Sequence, residues 1–148
     1  MENDNKMMLY LDNCCNNRPK DDQSSERVEA ETDAILKIIG KRHINGHIIV
    51  GSPVVDFEIQ RNPNIKERDA AMTLYRNTID SYVIPSEIDF GRAKIFMKVG
   101  LGVMDSYHLA AAEAAGADVL ITVDKDFERI STNKKLSRVI VINPLKFK

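Results

Sequence analysis

The chain has 148 residues, 43% of them apolar and 29% charged, enough to build the core of one domain and too apolar for global disorder. Lys plus Arg total 21 against 22 Asp plus Glu, a formal net charge of −1, which excludes nucleic-acid binding by bulk positive charge alone but not an enzyme that meets nucleic acid at a small local site. No run approaches the roughly 18 apolar residues of a membrane span, and residues 1–6 are too polar for a signal peptide, so a cytoplasmic protein is expected.

A single domain over 1–148 is expected, with residues 1–5 as a frayed tail and no repeat, low-complexity tract or linker. Residues 7–11 are a short apolar run ended by Asp12, which predicts a buried strand, and the polar stretch 13–22 predicts a turn-rich loop. Cys14 and Cys15 fall there. Neighbouring cysteines seldom bridge, and the three histidines lie far from them without zinc-ligand spacing, so both read as small buried residues. Over 25–40, Val28, Thr32, Ile35, Leu36 and Ile39 share one helix face, with Gly40 as C-terminal cap. Residues 48–50 predict a second strand, and Ser52 followed by Pro53 opens a helix to about Arg61. Asn64 with Glu67 opens another, reaching about Asp80, and residues 82–84 give a short third strand. Ser86 with Asp89 forms a capping box for a helix that Gly100 and Gly102 break. Asp105 then precedes an alanine-rich helix over 106–115, ended by Gly116. Residues 119–122 predict a fourth strand, 124–129 a helical turn, and 139–142 a fifth strand stopped by Asn143 and Pro144. Continuous Val/Ile/Leu strands alternating with helices predict a three-layer α/β/α fold around a parallel sheet of about five strands. Such sheets place their sites at the carboxyl ends of strands, where strand order reverses.

Acids recur at that edge. Asp12 ends the first strand, Asp124 follows the fourth, and Asp105 opens the helix leading into it; Glu58 lies in the helix after the second strand. If the first and fourth strands are neighbours, Asp12, Asp105 and Asp124 converge. Each acid also has a plain reading: Asp105 and Asp124 as helix caps, Asp12 as a partner for the following loop, Glu58 as a solvated helix residue. Two carboxylates about 4 Å apart repel by roughly 4 kcal/mol at an effective dielectric near 20, so a native cluster calls for a cation or a strongly raised pKa. Oxygen ligands favour Mg2+ or Mn2+ over zinc, and an ion so held suits phosphodiester hydrolysis without alone selecting it. His108, three residues after Asp105, reads by default as a partly buried surface residue, with contact to the site as the other option. Lys125, Arg129, Lys134, Lys135 and Arg138 form a basic cluster that is either a solvated face or a phosphate contact. The chain has no Gly-x-x-x-x-Gly-Lys loop, no Gly-x-Gly-x-x-Gly after the first strand and no Gly-x-Ser-x-Gly elbow. Cys14 stands where a two-aspartate phosphotransferase needs its second acid.

Four segments together resemble the PIN-domain proteins, the small metal-dependent ribonucleases that include VapC-type toxins. They are Leu9-Tyr10-Leu11-Asp12, Val54-Val55-Asp56-Phe57-Glu58-Ile59, the run from Val103 through Asp105 and His108 to Ala112, and Leu120-Ile121-Thr122-Val123-Asp124-Lys125-Asp126-Phe127. The last two are the most specific, and the resemblance spans about residues 8–144. It implies a PIN fold with Asp12, Glu58, Asp105 and Asp124 as catalytic acids around Mg2+ or Mn2+, Thr122 as the hydroxyl beside the fourth acid, and Asp126 and Asn13 as auxiliaries. It further implies RNA as substrate, an antitoxin protein as partner if the chain is a toxin, and dimerisation as a family habit. Lys125, His108 and Arg18 are candidate substrate contacts; for Arg18, pairing with Asp21 or Asp22 is the alternative. The stretch between Asp12 and Glu58 is longer than in compact PIN toxins, so a loop at 17–23 is expected over the site, and Asn13-Cys14 replaces a common Thr/Ser step. A non-catalytic PIN-like module that binds RNA or protein is the rival reading. A phospho-acceptor receiver domain ranks below both, because Pro85, not an aspartate, follows the third strand.

Overall fold

The apolar run after Lys6 extends as β1 (Met8–Leu11) because both of its faces find apolar cover. In this computed structural model, which describes residues 6–147, β1 is the centre of one parallel sheet. Its partners are β2 (Ile48–Gly51), β3 (Ser81–Tyr82), β4 (Val119–Ile121) and β5 (Ile140–Ile142), in the order β3-β2-β1-β4-β5. Leu9 registers with Ile49 on one side and Val119 on the other.

Successive side chains along a strand point to opposite faces. Tyr10, Val50, Leu120 and Val141 therefore join one buried cluster, and Leu9, Leu11, Ile49, Val119 and Ile121 the other. Five helices contribute to the first: α3 (Pro53–Gln60), α4 (Ile65–Thr78), α5 (Glu87–Lys98), α6 (Val103–Ala114) and, through Phe127, α7 (Lys125–Lys134). The second is covered mainly by α2 (Glu26–Lys41), through Ile35, Ile38 and Ile39, with Cys15 of the short α1 (Asn13–Asn17). This is the expected three-layer arrangement. The chain leaves β1 toward β2 and later returns to its other side as β4, so strand order reverses between β1 and β4, and the crevice beyond their carboxyl ends is the natural ligand site.

Several boundaries differ from the sequence-based expectation. Stretch 13–22, expected as a loop, forms α1 and a 3₁₀ turn over Arg18–Lys20, because burial of Cys15 and Asn16 outweighs the weak helix preference of Asn and Cys. Helix α2 runs through Gly40 to Lys41, so Gly40 is not its cap, and Leu36, placed on the buried face by periodicity, is 44% exposed while Glu31 is buried in its place. β3 stops at Tyr82, after which Val83 donates one more bond to Gly51 and Pro85 has no N–H to give. Helix α7 is longer than a turn and closes on Lys135 in the left-handed region at φ 50°. Asn64 accepts from the Glu67 N–H at 3.1 Å, and Ser86 with Asp89 makes the expected capping box. Ser52 precedes α3 as expected, but its hydroxyl bonds Tyr10 rather than capping the helix. Gly51 answers a steric need: a Cβ there would lie 2.4 Å from the Tyr75 hydroxyl, which accepts from the Ser52 N–H and donates to the Ser52 carbonyl. The proposed tail at 1–5 lies outside the described residues.

Candidate metal centre

The Asp12 N–H donates to Ile121 at 3.0 Å, which prolongs the β1–β4 ladder by one residue and fixes where the carboxylate emerges. Asp12 is 5% exposed. Its Oδ2 accepts from the Thr122 hydroxyl at 2.8 Å and from the Cys14 thiol at 3.3 Å. Thr122 Oγ1 in turn accepts from the Asp124 N–H at 3.1 Å. One hydroxyl thus ties the acid after β1 to the backbone of the acid after β4.

Helix α6 begins at Val103, behind Gly102 as N-cap, not at Ser106. Asp105 therefore sits inside its first turn, which removes the capping explanation for this residue. One turn on, His108 comes to the same face. The expectation of a partly buried surface histidine is wrong: His108 is fully buried, because Leu109 to Ala112 press α6 against the sheet. Its Nε2 bonds Glu58 of α3 and lies 3.3 Å from Asp12 Oδ1. Its Nδ1 bonds the Tyr10 hydroxyl at 2.7 Å, which bonds Ser52 Oγ at 2.7 Å. One ligand atom each from Asp12, Glu58 and His108 lie within 4.8 Å of one another, close enough that the three could hold a metal ion.

The charges show the same convergence. Burial, then the like charges of Asp12 and Asp124, push the Asp105 carboxyl up to about 7, with Glu58 adding to the rise and His108 opposing it. Burial pulls the His108 imidazole down, but Asp12, Glu58 and Asp105 outweigh it, so its pKa stands above the usual histidine value. Acids whose like charges act on one another beside a single imidazole form an arrangement that a divalent ion could relieve, although Asp105 and Asp124 lie outside the close group of Asp12, Glu58 and His108.

The remaining expected residues divide. Asp124 is the N-cap of α7, as its plain reading had it, accepting from Asp126 and Phe127 N–H through Oδ1. Those bonds leave Oδ2 for another ligand. Asn13 is buried beside Asp12, and its Oδ1 has no hydrogen-bond partner in the described structure. Lys125 is exposed at the start of α7. Asp126 is exposed and pairs with Arg129 at 3.1 Å. Arg138 donates to the carbonyls of Ala117 and Glu113, so the basic cluster is partly used in structural contacts. Arg18 pairs with Asp21, one of its expected partners, and more closely with Glu31 at 2.6 Å.

Sequence reasoning missed Glu31, Tyr10 and Ser52. Glu31 is fully buried between Arg18, Arg27 and Asn143, and Arg27 also donates to the Val123 carbonyl next to Asp124. Its position four residues before Ile35 puts it near the buried helix face but does not distinguish it from the other charges of α2. Tyr10 sits in an apolar strand with nothing to mark its hydroxyl.

Fold and site define an α/β protein with an acidic group, able to hold a metal ion, at the sheet's switch point. The family model for the PIN domain matches residues 24–133, and the chain belongs to the PIN domain family. That span contains Glu58, Asp105 and Asp124 and begins after Asp12. A chain in the crystal structure of VapBC2 from Rickettsia felis bound to a promoter DNA fragment is similar in fold, with TM-score 0.63 and 14% identity over 93% of this chain and 98% of that one. A chain of FitAcB from Neisseria gonorrhoeae is similar with TM-score 0.56 and 19% identity over 95% and 100%. A search of curated proteins returns no match. Among the described residues no helix is long and apolar enough to cross a membrane.

Proposed function

We propose that this chain is a cytoplasmic, divalent-metal-dependent endoribonuclease that hydrolyses RNA phosphodiester bonds and acts as the toxin of a toxin–antitoxin pair. The observation that carries the reading is the junction of Asp12, Glu58 and His108 within 4.8 Å, beside a carboxyl at Asp105 raised to about 7. In this reading Asp12, Glu58, Asp105 and Asp124 hold Mg2+ or Mn2+. A bound ion supplies activation of water and neutralisation of charge on the phosphoryl oxygens. Thr122 orients Asp12, and the α7 cap fixes Asp124 with one oxygen spare. Membership of the PIN domain family supports the hydrolase class, and likeness in fold to VapBC2 and FitAcB supports an antitoxin partner. Lys125 and a second copy of the chain belong to the same proposal, as a substrate contact and as a dimer partner.

The purified protein is expected to cleave single-stranded RNA with Mg2+ or Mn2+, to stop in EDTA, and to resume when the ion is restored. Cleavage indifferent to EDTA overturns the metal dependence; no cleavage overturns the nuclease assignment, and no saturable Mg2+ or Mn2+ binding beside it favours the non-catalytic binding module.

A pH dependence follows from Asp105. In the fold its carboxyl keeps a proton up to about pH 7, whereas the unfolded chain releases it near the ordinary aspartate value of 3.8. The folded state thus binds more protons across that window, and this group's contribution to stability declines as pH rises through it. Ion binding needs the carboxylate. Affinity for Mn2+ is therefore expected to rise toward pH 7, by up to about tenfold per pH unit, and then to level off. Calorimetric titration between pH 5.5 and 8 measures this directly.

A further inference from the structure

We infer that His108 is a direct ligand of the ion through Nε2, so that the centre has mixed nitrogen and oxygen donors and takes first-row transition ions such as Mn2+ in preference to Mg2+. The inference deepens the metal-dependent reading above and rests on it.

Position comes first. Nε2 of a fully buried ring meets Glu58 and lies 3.3 Å from Asp12 Oδ1, with no room for the imidazole to turn toward solvent. The three donor atoms span at most 4.8 Å, close to the roughly 4.4 Å that separates ligands on opposite sides of one ion with bonds near 2.2 Å. A divalent ion seated between Asp12 and Glu58 therefore meets Nε2 as its third neighbour.

The far side of the ring is prepared for the same role. A metal-bound histidine ordinarily has its other ring nitrogen held by a hydrogen-bond partner, which fixes tautomer and orientation. Here Nδ1 bonds Tyr10 at 2.7 Å, and Tyr10 bonds Ser52 at 2.7 Å, with all three side chains buried. Both hydroxyls are donors and acceptors, so the row can run in either direction without moving a heavy atom. With Nδ1–H donating to Tyr10 and Tyr10 donating to Ser52, the ion takes the place of the Nε2 proton that bonds Glu58, and the lone pair so freed faces the carboxylates. A histidine that served only as a surface or packing residue would need no such row.

Donor chemistry then sets the preference. Mg2+ takes oxygen ligands and gives up its waters reluctantly, whereas imidazole suits transition ions, whose affinity for a given site climbs from Mn2+ toward Cu2+. An all-carboxylate pocket would show little such discrimination.

The test uses the intact wild-type protein loaded with Mn2+ and pulsed electron paramagnetic resonance. The expected result is a directly bound nitrogen, whose coupling changes on labelling histidine with 15N. The other two histidines do not compete for the assignment: His43 lies beside Asp80 and His47 accepts from the Met7 N–H. Displacing the Mn2+ is expected to take about tenfold or more excess of Mg2+. Tyr10→Phe keeps the nitrogen coupling but is expected to weaken Mn2+ binding by about 10–100-fold. Saturable Mn2+ binding without nitrogen coupling, with Mg2+ competing on equal terms, overturns this inference and leaves the carboxylate-held ion standing. Absence of any saturable divalent-ion binding overturns both.

Discussion

Replacing Asp12 by asparagine is expected to reduce RNA cleavage by about a thousandfold or more while raising the melting temperature of the metal-free protein. The loss reflects the several kcal/mol of charge stabilisation that an ion supplies and that a neutral amide cannot secure; a thousandfold corresponds to about 4 kcal/mol. The gain has a separate origin. Asp12 is the first like charge to act on the Asp105 carboxyl after burial, so its removal lets Asp105 ionise nearer the ordinary carboxylate range. Asparagine is nearly isosteric, and its carbonyl still accepts from Thr122 where Oδ2 does at 2.8 Å. The cost falls on His108, which loses one of two carboxylate partners but keeps Glu58. Relief of about 1 kcal/mol raises the melting point by roughly 2–4 °C for a chain of this size. Calorimetry in EDTA, paired with a cleavage assay in Mn2+, reads both effects on one preparation. Parental activity together with a lower melting point would make Asp12 a structural residue and remove the proposed centre. Opposite signs in the two assays are the signature of an acid kept for function at the expense of stability.

The sheet was readable because its strands are short apolar runs with turn signals between them, and parallel strands buried on both faces need that composition. Asp12 and Asp124 were readable as an edge pair because each follows such a run and β1 proved to neighbour β4. The same logic failed where local preference and tertiary packing disagree. Nothing local favours a helix over Asn13–Asn17; the burial of Cys15 and Asn16 decides it. His108 shows the limit most clearly. Its spacing from Asp105 gives the shared helix face, but which way that face turns depends on how closely Ala110, Ala111 and Ala112 let α6 approach the sheet. Serine before proline usually caps a helix, yet a tyrosine forty-two residues away takes the Ser52 hydroxyl. Long-range pairings of single polar atoms leave no periodic trace, and Glu31 belongs with them: a charge in a helix full of charges looks solvated until Arg18 and Asn143 close over it.

Glu31 also carries the largest expected stability effect. Glu31→Met should cost about 3–5 kcal/mol, because it strips from Arg18, whose side chain is only 17% exposed, its closer carboxylate and leaves that largely buried charge with the more exposed Asp21 alone. Asn143 Nδ2 loses its 2.6 Å acceptor at the same time. The corresponding fall in melting temperature is roughly 6–20 °C. Burial alone would push the Glu31 carboxyl up, but Arg18, Asn143 and Arg27 outweigh it and hold it below the ordinary value. Its contribution is therefore fully present at neutral pH and is lost only in acid, as pH falls through that lowered value, so the destabilisation should shrink toward low pH. Arg18→Met in the same chain is expected to restore at least half of the loss, since an apolar pair of similar volume avoids the stranded charge; Arg27, 40% exposed, can turn to water. A double variant as unstable as the single one would show that Arg18 is not the group left stranded. The consequence should reach the site, because Arg27 joins Glu31 to the Val123 carbonyl and Arg18 anchors the 17–23 segment. Faster amide exchange at Asp124 and through 17–23 in Glu31→Met is the expected readout, and it separates a network that positions the fourth acid from one that only joins α2 to the chain's last turn.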